Sequence, residues 1–205
     1  MIRSCLIAAA AVALTACSVL PKPAPANVVY RLSVGGETVQ PRTDATVIRV
    51  DRPSTIDVFN TRSIVVSPDG RRLSTAAQAE WPELTPNMLQ QLMVDAFAQT
   101  PSLIGVLPQS GTRTDIRLHL TIKNFEAQFD QGEGLAPLAV VSYTATLANA
   151  ADRNLIATFT VEHTSRARAA RISSIVAAIE TANAEAMRDI VDWVESVNEA
   201  GMMDG

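Results

Sequence analysis

DIRLHLTIKNFEAQF, residues 115–129, carries the longest alternation of apolar and polar side chains in this 205-residue chain. Ile116, Leu118, Leu120 and Ile122 fall on one side, and Asp115, Arg117, His119, Thr121 and Lys123 on the other. A strand with one buried face reads this way because successive side chains point to opposite faces. Beyond Asn124 the apolar set becomes Phe125, Ala127 and Phe129, so the phase has slipped by one residue. A slip inside a continuing strand predicts a β-bulge near Lys123-Asn124, because a plain strand would turn every later side chain to the wrong face. Two further strands follow. Gln131-Gly132-Glu133-Gly134 makes a turn, after which Val141, Tyr143, Ala145 and Leu147 share one face. Asp152-Arg153-Asn154 turns again, and Leu155, Ala157, Phe159 and Val161 alternate with Ile156, Thr158, Thr160 and Glu162. The three strands read as an antiparallel meander, apolar within and threonine-rich outside.

Before the meander, Val28–Val34 and Ala45–Asp51 read as strands separated by Gly35-Gly36. Arg62–Ser67 and Arg71–Thr75 flank Pro68-Asp69-Gly70, a turn signature that predicts a hairpin with Ile64, Val65, Val66 and Leu73 as approximate partners. Thr85 is a natural N-cap and Pro86 suits the first helical position. Leu89, Leu92, Met93, Ala96 and Phe97 then recur at helical spacing until Pro101. Leu103–Leu107 is a short apolar strand, either core or an edge open to strand addition. After the meander, Ile172, Ile175, Val176, Ile179, Ala186, Ile190, Val194 and Val197 trace one stripe of a long helix, with Gly201 as a stop. Two helices packed on a mixed, largely antiparallel sheet make an α+β fold, an α/β two-layer domain.

The N-terminus has a different character. Arg3 precedes an apolar run, Leu6 to Ala13, that is far shorter than the roughly 20 residues needed to span a bilayer. It reads as an export signal, residues 1–16. The run ends in Leu14-Thr15-Ala16-Cys17, which resembles the bacterial lipobox. In lipoproteins of that kind the cysteine carries the lipid, so Cys17 is the expected lipidation site and the membrane the expected partner. Pro21, Pro23 and Pro25 alternate through residues 17–27, which favours an extended tether of about 3.1 Å per residue. A single domain over residues 28–201 and a tail over 202–205 complete the organisation. Ser18, where an aspartate commonly marks inner-membrane retention, points to the outer membrane, facing the periplasm.

Composition narrows the chemistry. Removing the leader leaves 16 basic and 21 acidic residues, a net charge of −5, which argues against a nucleic-acid partner. There is no strong basic tract for anionic lipid. Of two cysteines, Cys5 leaves with the signal and Cys17 is lipidated, so the mature fold has no disulfide and no thiol nucleophile. His119 falls on a polar strand face and His163 on the apolar face of another strand. With only these two histidines a metal would need carboxylate ligands, and no cofactor is expected. Paired acids such as Asp189/Asp192 and Glu195/Glu199 read as solvated helix faces, not acid/base pairs. The Gly132-x-Gly134 turn lacks the lysine and the following helix of a phosphate cradle. Arg166, Arg168 and Arg171 form the one basic cluster. They read either as contacts to an acidic partner or lipid headgroup, or as solvated charge leading into the helix.

The chain resembles the ABC-type transport auxiliary lipoproteins, the PqiC-like group. The residues that carry the resemblance are the LTAC lipobox, Tyr30-Arg31-Leu32, the RSIVVS strand and Ala79-Glu80-Trp81. The DIRLHLTIKNF strand with Phe125, and Trp193 in the last helix, extend it over nearly the whole mature chain. The resemblance implies a fold like the TolB N-terminal domain. It also implies a non-enzymatic accessory or docking subunit that works with an MCE-domain protein and an ABC transporter in moving lipid between membranes, and it leaves a homo-oligomer open for this chain. An envelope assembly lipoprotein, LptE-like or TolB-like, is the alternative. An envelope hydrolase is a third reading and would require a pocket of convergent polar groups. The lipobox yields a first prediction: Cys17→Ser abolishes palmitate labelling in cells while the domain stays folded, and persistent labelling would refute the assignment.

Overall fold

A computed structural model describes residues 26–203; the leader, Cys17 and the tether through Pro25 lie outside them. Eight strands and two α-helices follow in order, with short 3-10 turns at Asp57–Phe59 and Pro108–Ser110 between them. They are β1 (Val28–Val29), β2 (Thr46–Val50), β3 (Ser63–Ser67), β4 (Ser74–Glu80), α1 (Thr85–Phe97), β5 (Leu103–Val106), β6 (Ile116–Gln128), β7 (Leu138–Asn149), β8 (Leu155–Arg166) and α2 (Ile172–Glu199). All eight strands join one mixed sheet with both helices packed against it, so the expected α+β class holds.

The sheet is organised by β6. One of its edges pairs antiparallel with β7 along its whole length, from Ile116–Asn149 to Gln128–Leu138. Its other edge is divided. β2 pairs in parallel at the start, Ile48 with Ile116, and β3 pairs in parallel at the end, Val66 with Ala127. A bridge from Ser54 to Thr121 fills the gap, with the Ile122 amide donating to the Ser54 carbonyl at 2.9 Å. β5 extends the β2 side, and β4 and β1 extend the β3 side. The long pairings are antiparallel, as expected, and the short ones include parallel pairs that local sequence does not signal.

The bulge lies where the phase slip places it: the β6–β7 register shifts between Ile122 and Asn124. Leu118, Leu120, Ile122, Phe125 and Ala127 are all buried, so the extra residue keeps the apolar set on the core side. Tyr143, Ala145 and Leu147 on β7 and Ile175, Ile179, Ala186, Ile190 and Val194 on α2 complete the core as read from the sequence. Trp81 is buried edge-on to Phe125, with ring centroids 6.1 Å apart.

Several local expectations are corrected. Only Val28–Val29 of the expected Val28–Val34 strand forms a strand; after the Tyr30 amide bonds the Glu80 carbonyl, the chain leaves the sheet and packs Tyr30, Leu32 and Val34 on the core. The hairpin's second strand is Ser74–Glu80 rather than Arg71–Thr75, and Leu73 is exposed in its turn. Its pairing shifts register, and Gln78 takes a positive φ of 59°. Thr85 is not the cap of α1. Leu84 holds that position, and the Thr85 hydroxyl donates to the Thr61 carbonyl at 2.9 Å, anchoring the helix start to the loop before β3. Leu155 is exposed, since it opens β8 at the rim. Met203 is buried, so the packed chain runs past the expected end at residue 201.

Helix α1 lies so close over β5 that a Cβ on Gly105 would stand 2.9 Å from Phe97 Cδ2 and 3.1 Å from the Val94 backbone. Helix α2 is pinned to β7 by one buried polar contact: Tyr143 Oη donates to Asn183 Oδ1 at 2.6 Å. Burial pushes the Tyr143 hydroxyl far above its ordinary range, so it stays a donor. Tyr143→Phe should cost about 1–3 kcal/mol by orphaning the Asn183 carbonyl, whereas adding Asn183→Leu should recover much of the loss, because removing both polar partners is nearly neutral. Urea midpoints of the two variants check this; equal destabilisation of both would show that the contact carries nothing.

Candidate functional site

Three polar constellations stand out among the described residues. The first is at the junction of β8 and α2. Ser67, Gln128, Leu138 and Arg166 are register partners in a row across β3, β6, β7 and β8. Arg166 ends β8 there and grips the loop that joins β6 to β7. Its guanidinium donates to both Asp130 oxygens, at 2.5 and 2.8 Å, and to the Ala136 carbonyl at 3.1 Å. That forked bond holds the Asp130 carboxyl below the usual carboxylate range and raises the Arg166 guanidinium. Arg166 is therefore largely committed to structure.

The strand does not persist to Arg168, so the expected shared strand face of Arg166 and Arg168 does not form. Arg168 is exposed and Arg171 donates to the Ser174 hydroxyl at 3.1 Å. Neither makes an ion pair among the described residues. All three arginines nevertheless line one open groove of about 430 Å³ with Ser173, Ser174 and Thr181. The groove presents cationic and hydroxyl donors at the start of α2, a setting that suits an anion.

The second constellation lies on the opposite, helix-free face of the sheet. Asp51 accepts from Arg49 Nε at 3.1 Å and from Arg117 Nε at 2.7 Å. His119 Nε2 lies 3.0 Å from the Ser54 hydroxyl, which is itself 3.1 Å from the Thr121 hydroxyl. Partial burial, ahead of neighbouring charges, lowers the His119 pKa and favours the neutral ring. A serine beside a histidine is the start of a nucleophilic pair, but Asp51 is bonded to two arginines rather than to His119. The pair sits on an open strand surface and lines none of the described cavities.

The third constellation ties α2 to its surroundings. His163 Nε2 is 2.7 Å from Asp189, and Nδ1 is 3.3 Å from Glu185. Glu195 accepts hydrogen bonds from the Thr100 and Ser102 hydroxyls, and Glu180 Oε1 accepts from the Ser33 amide and hydroxyl, each at 2.8 Å. Asp189 and Glu195, expected on a solvated helix face, thus hold β8 and the segment after α1, and Glu180 holds Ser33. Trp193 stacks on Phe159 with centroids 5.5 Å apart, as a packing anchor. These contacts pair residues remote in sequence, and no local signal announces them. Glu126 is a further case: buried, it accepts from Gln128 at 2.7 Å through Oε1, while Oε2 has no partner in the protein. No group of three or more metal-ligating side chains occurs among the described residues.

The structure thus presents a two-layer α+β domain with one sheet face free of helix and arginines gathered at one end. Comparison with known proteins gives that class its family. The family model for ABC-type transport auxiliary lipoprotein components matches residues 30–191, and the chain belongs to that family. The resemblance read from the sequence is thereby confirmed. No curated protein matches the sequence. Among solved structures, protein XCC0632 from Xanthomonas campestris, of family model DUF330, superposes with a TM-score of 0.74 at 20% identity. That alignment covers 85% of this chain and 98% of the other. An uncharacterized protein superposes with a TM-score of 0.65 at 13% identity, over 83% of this chain and 99% of its own. At these identities the likeness speaks to the fold alone.

The Arg166–Asp130 fork makes a prediction. Arg166→Ala should speed amide exchange in the loop at 131–136 while leaving the global unfolding midpoint little changed, since solvent screens the exposed pair. Unchanged exchange in that loop would show that the fork does not order it.

Proposed function

We propose that this chain is a non-catalytic accessory subunit of an ABC/MCE-type lipid-transport system, anchored through lipid on Cys17 in the outer membrane and facing the periplasm. The observation that carries the reading is the family match over residues 30–191, which puts the chain among the ABC-type transport auxiliary lipoprotein components. The lipobox at Cys17 and Ser18 support the anchor and its membrane. The architecture fits a binding role. Both helices cover one face of the sheet, leaving Thr144, Thr158 and Thr160 and the Arg49–Asp51–Arg117 group on a face open to a partner. On this reading the MCE-domain protein is the direct partner and self-association multiplies its contacts. The Arg166–Arg168–Arg171 end is a second contact surface.

A protein-binding module for envelope assembly, with a TolB-like fold, would use the same open face; the family match favours transport. Affinity capture of the tagged full-length lipoprotein from solubilised membranes is expected to retrieve an MCE-domain protein and the transporter's ATPase. Deletion of the gene is expected to raise envelope permeability. Capture of assembly factors alone, with permeability unchanged, would refute the transport role.

A further inference from the structure

We propose that the arginine-bearing end of the domain rests on the headgroups of an anionic phospholipid bilayer, the membrane in which the chain is anchored. The proposal builds on the lipid anchor at Cys17 and adds the orientation of the domain upon it.

The row Ser67–Gln128–Leu138–Arg166 marks one end of the sheet. Two loop tips and the β8–α2 junction project beyond it. The β3–β4 turn carries Arg71 and the exposed Leu73, the β6–β7 loop carries the exposed Leu135, and the junction carries Arg168 and Arg171. Leu73 is 37% and Leu135 52% exposed, in a chain whose large apolar side chains are mostly buried. Apolar tips flanked by arginines suit an interface where the leucines enter the headgroup boundary and the guanidinia meet phosphate.

The charges at this end do not cancel. Asp69 is bonded to Arg72 at 2.8 Å, and Asp130 to Arg166, so these acids are neutralised locally. Arg71, Arg168 and Arg171 make no ion pair among the described residues, and Glu133 is the remaining acid of the loop. A local surplus of positive charge therefore stands on a chain of net charge −4. Each arginine near an anionic surface favours contact by roughly fivefold. At the other end, around the Asn149–Leu155 turn, Arg49, Arg113, Arg117 and Arg153 stand with Asp51, Asp115 and Asp152, and the acidic end of α2 adds Glu199 beside Asn198, which bonds Thr46.

The position of the N-terminus selects the same end. Val28 and Val29 pair in parallel with Ala79 and Glu80, and Glu80 pairs with Ser63, four residues before Ser67. The chain thus joins the domain within about 15 Å of Ser67, the near end of that row, and five strands, or about 24 Å, across from Arg166, and it comes from the row's side. Nine residues run from Cys17 to Pro25, and at about 3.1 Å per residue a chain of that length could reach about 28 Å. That reaches the arginine end with slack. The far end, at the other extremity of the 13-residue β6, is about 40 Å from the row.

The test uses the full-length lipoprotein purified from membranes, whose mature form keeps only the lipidated Cys17. Single exposed sites, Leu73→Cys, Leu135→Cys and Leu155→Cys, are each labelled with an environment-sensitive fluorophore. The labelled chains are placed in phosphatidylethanolamine/phosphatidylglycerol vesicles that contain a headgroup-level lipid quencher. Probes at positions 73 and 135 are expected to be quenched several-fold more than the probe at 155. The difference should shrink when phosphatidylcholine replaces phosphatidylglycerol, when Arg168→Glu and Arg171→Glu are combined, and at 1 M salt, where screening falls to about 3 Å. Quenching at 73 and 135 no stronger than at 155 overturns the proposal, as it would if this end instead docked a protein. A chain that fails to co-float with the vesicles overturns both the anchor and this orientation. Quenching as expected with no MCE protein captured leaves this proposal standing and removes only the transport role.

Discussion

The structure depends on one strand having neighbours on both of its edges. β6 meets β7 along one side, and on the other it takes β2 at its start, Ser54 at its middle and β3 at its end. A strand placed so centrally cannot let its side chains drift in phase. The bulge between Ile122 and Asn124 keeps Phe125 and Ala127 in the core, and Phe125 in turn receives Trp81 from the end of β4. The bulge thus couples the meander to the hairpin half of the sheet. Everything outside this axis is attached to it: β5 through β2, β1 through β4, and α2 through the Tyr143–Asn183 contact on β7.

Much of this axis was legible in the sequence because its signals are local. Alternation in DIRLHLTIKNF, its phase slip, and the stripe from Ile172 to Val197 each report periodicity in one segment, and each segment packs as its periodicity implies. What escaped was set by distant partners. Nothing near Thr46 says that β2 shares an edge of β6 with β3. Thr85 has the chemistry of a cap, yet the Thr61 carbonyl is close enough to claim its hydroxyl. The acids on α2 look solvated in a helical projection and are recruited by Ser33, Thr100, Ser102 and His163.

The arginine end shows the same division. Arg166, Arg168 and Arg171 are neighbours in sequence and were found as a cluster. The sequence also shows no strong basic tract, and that too is correct. The basic surface is assembled from a hairpin turn and a strand–helix junction about 100 residues apart, joined by the register of four strands. The fold also removes one member from service: Arg166 organises the loop carrying Leu135, leaving Arg168 and Arg171 to face outward.

The two-residue pairing of β1 has a mechanical consequence. Any pull on the N-terminus is borne first by Val28–Val29 against β4 and by the Tyr30 amide on the Glu80 carbonyl. Next in line is the clamp of Glu180 on Ser33, and then the bond of the Val39 amide to the Ala98 carbonyl. These few bonds lie at the rim, whereas β6 is locked between neighbours. Traction would therefore act on this rim segment, and through Tyr30, Leu32 and Val34 on the edge of the core, before it reached the β6 axis.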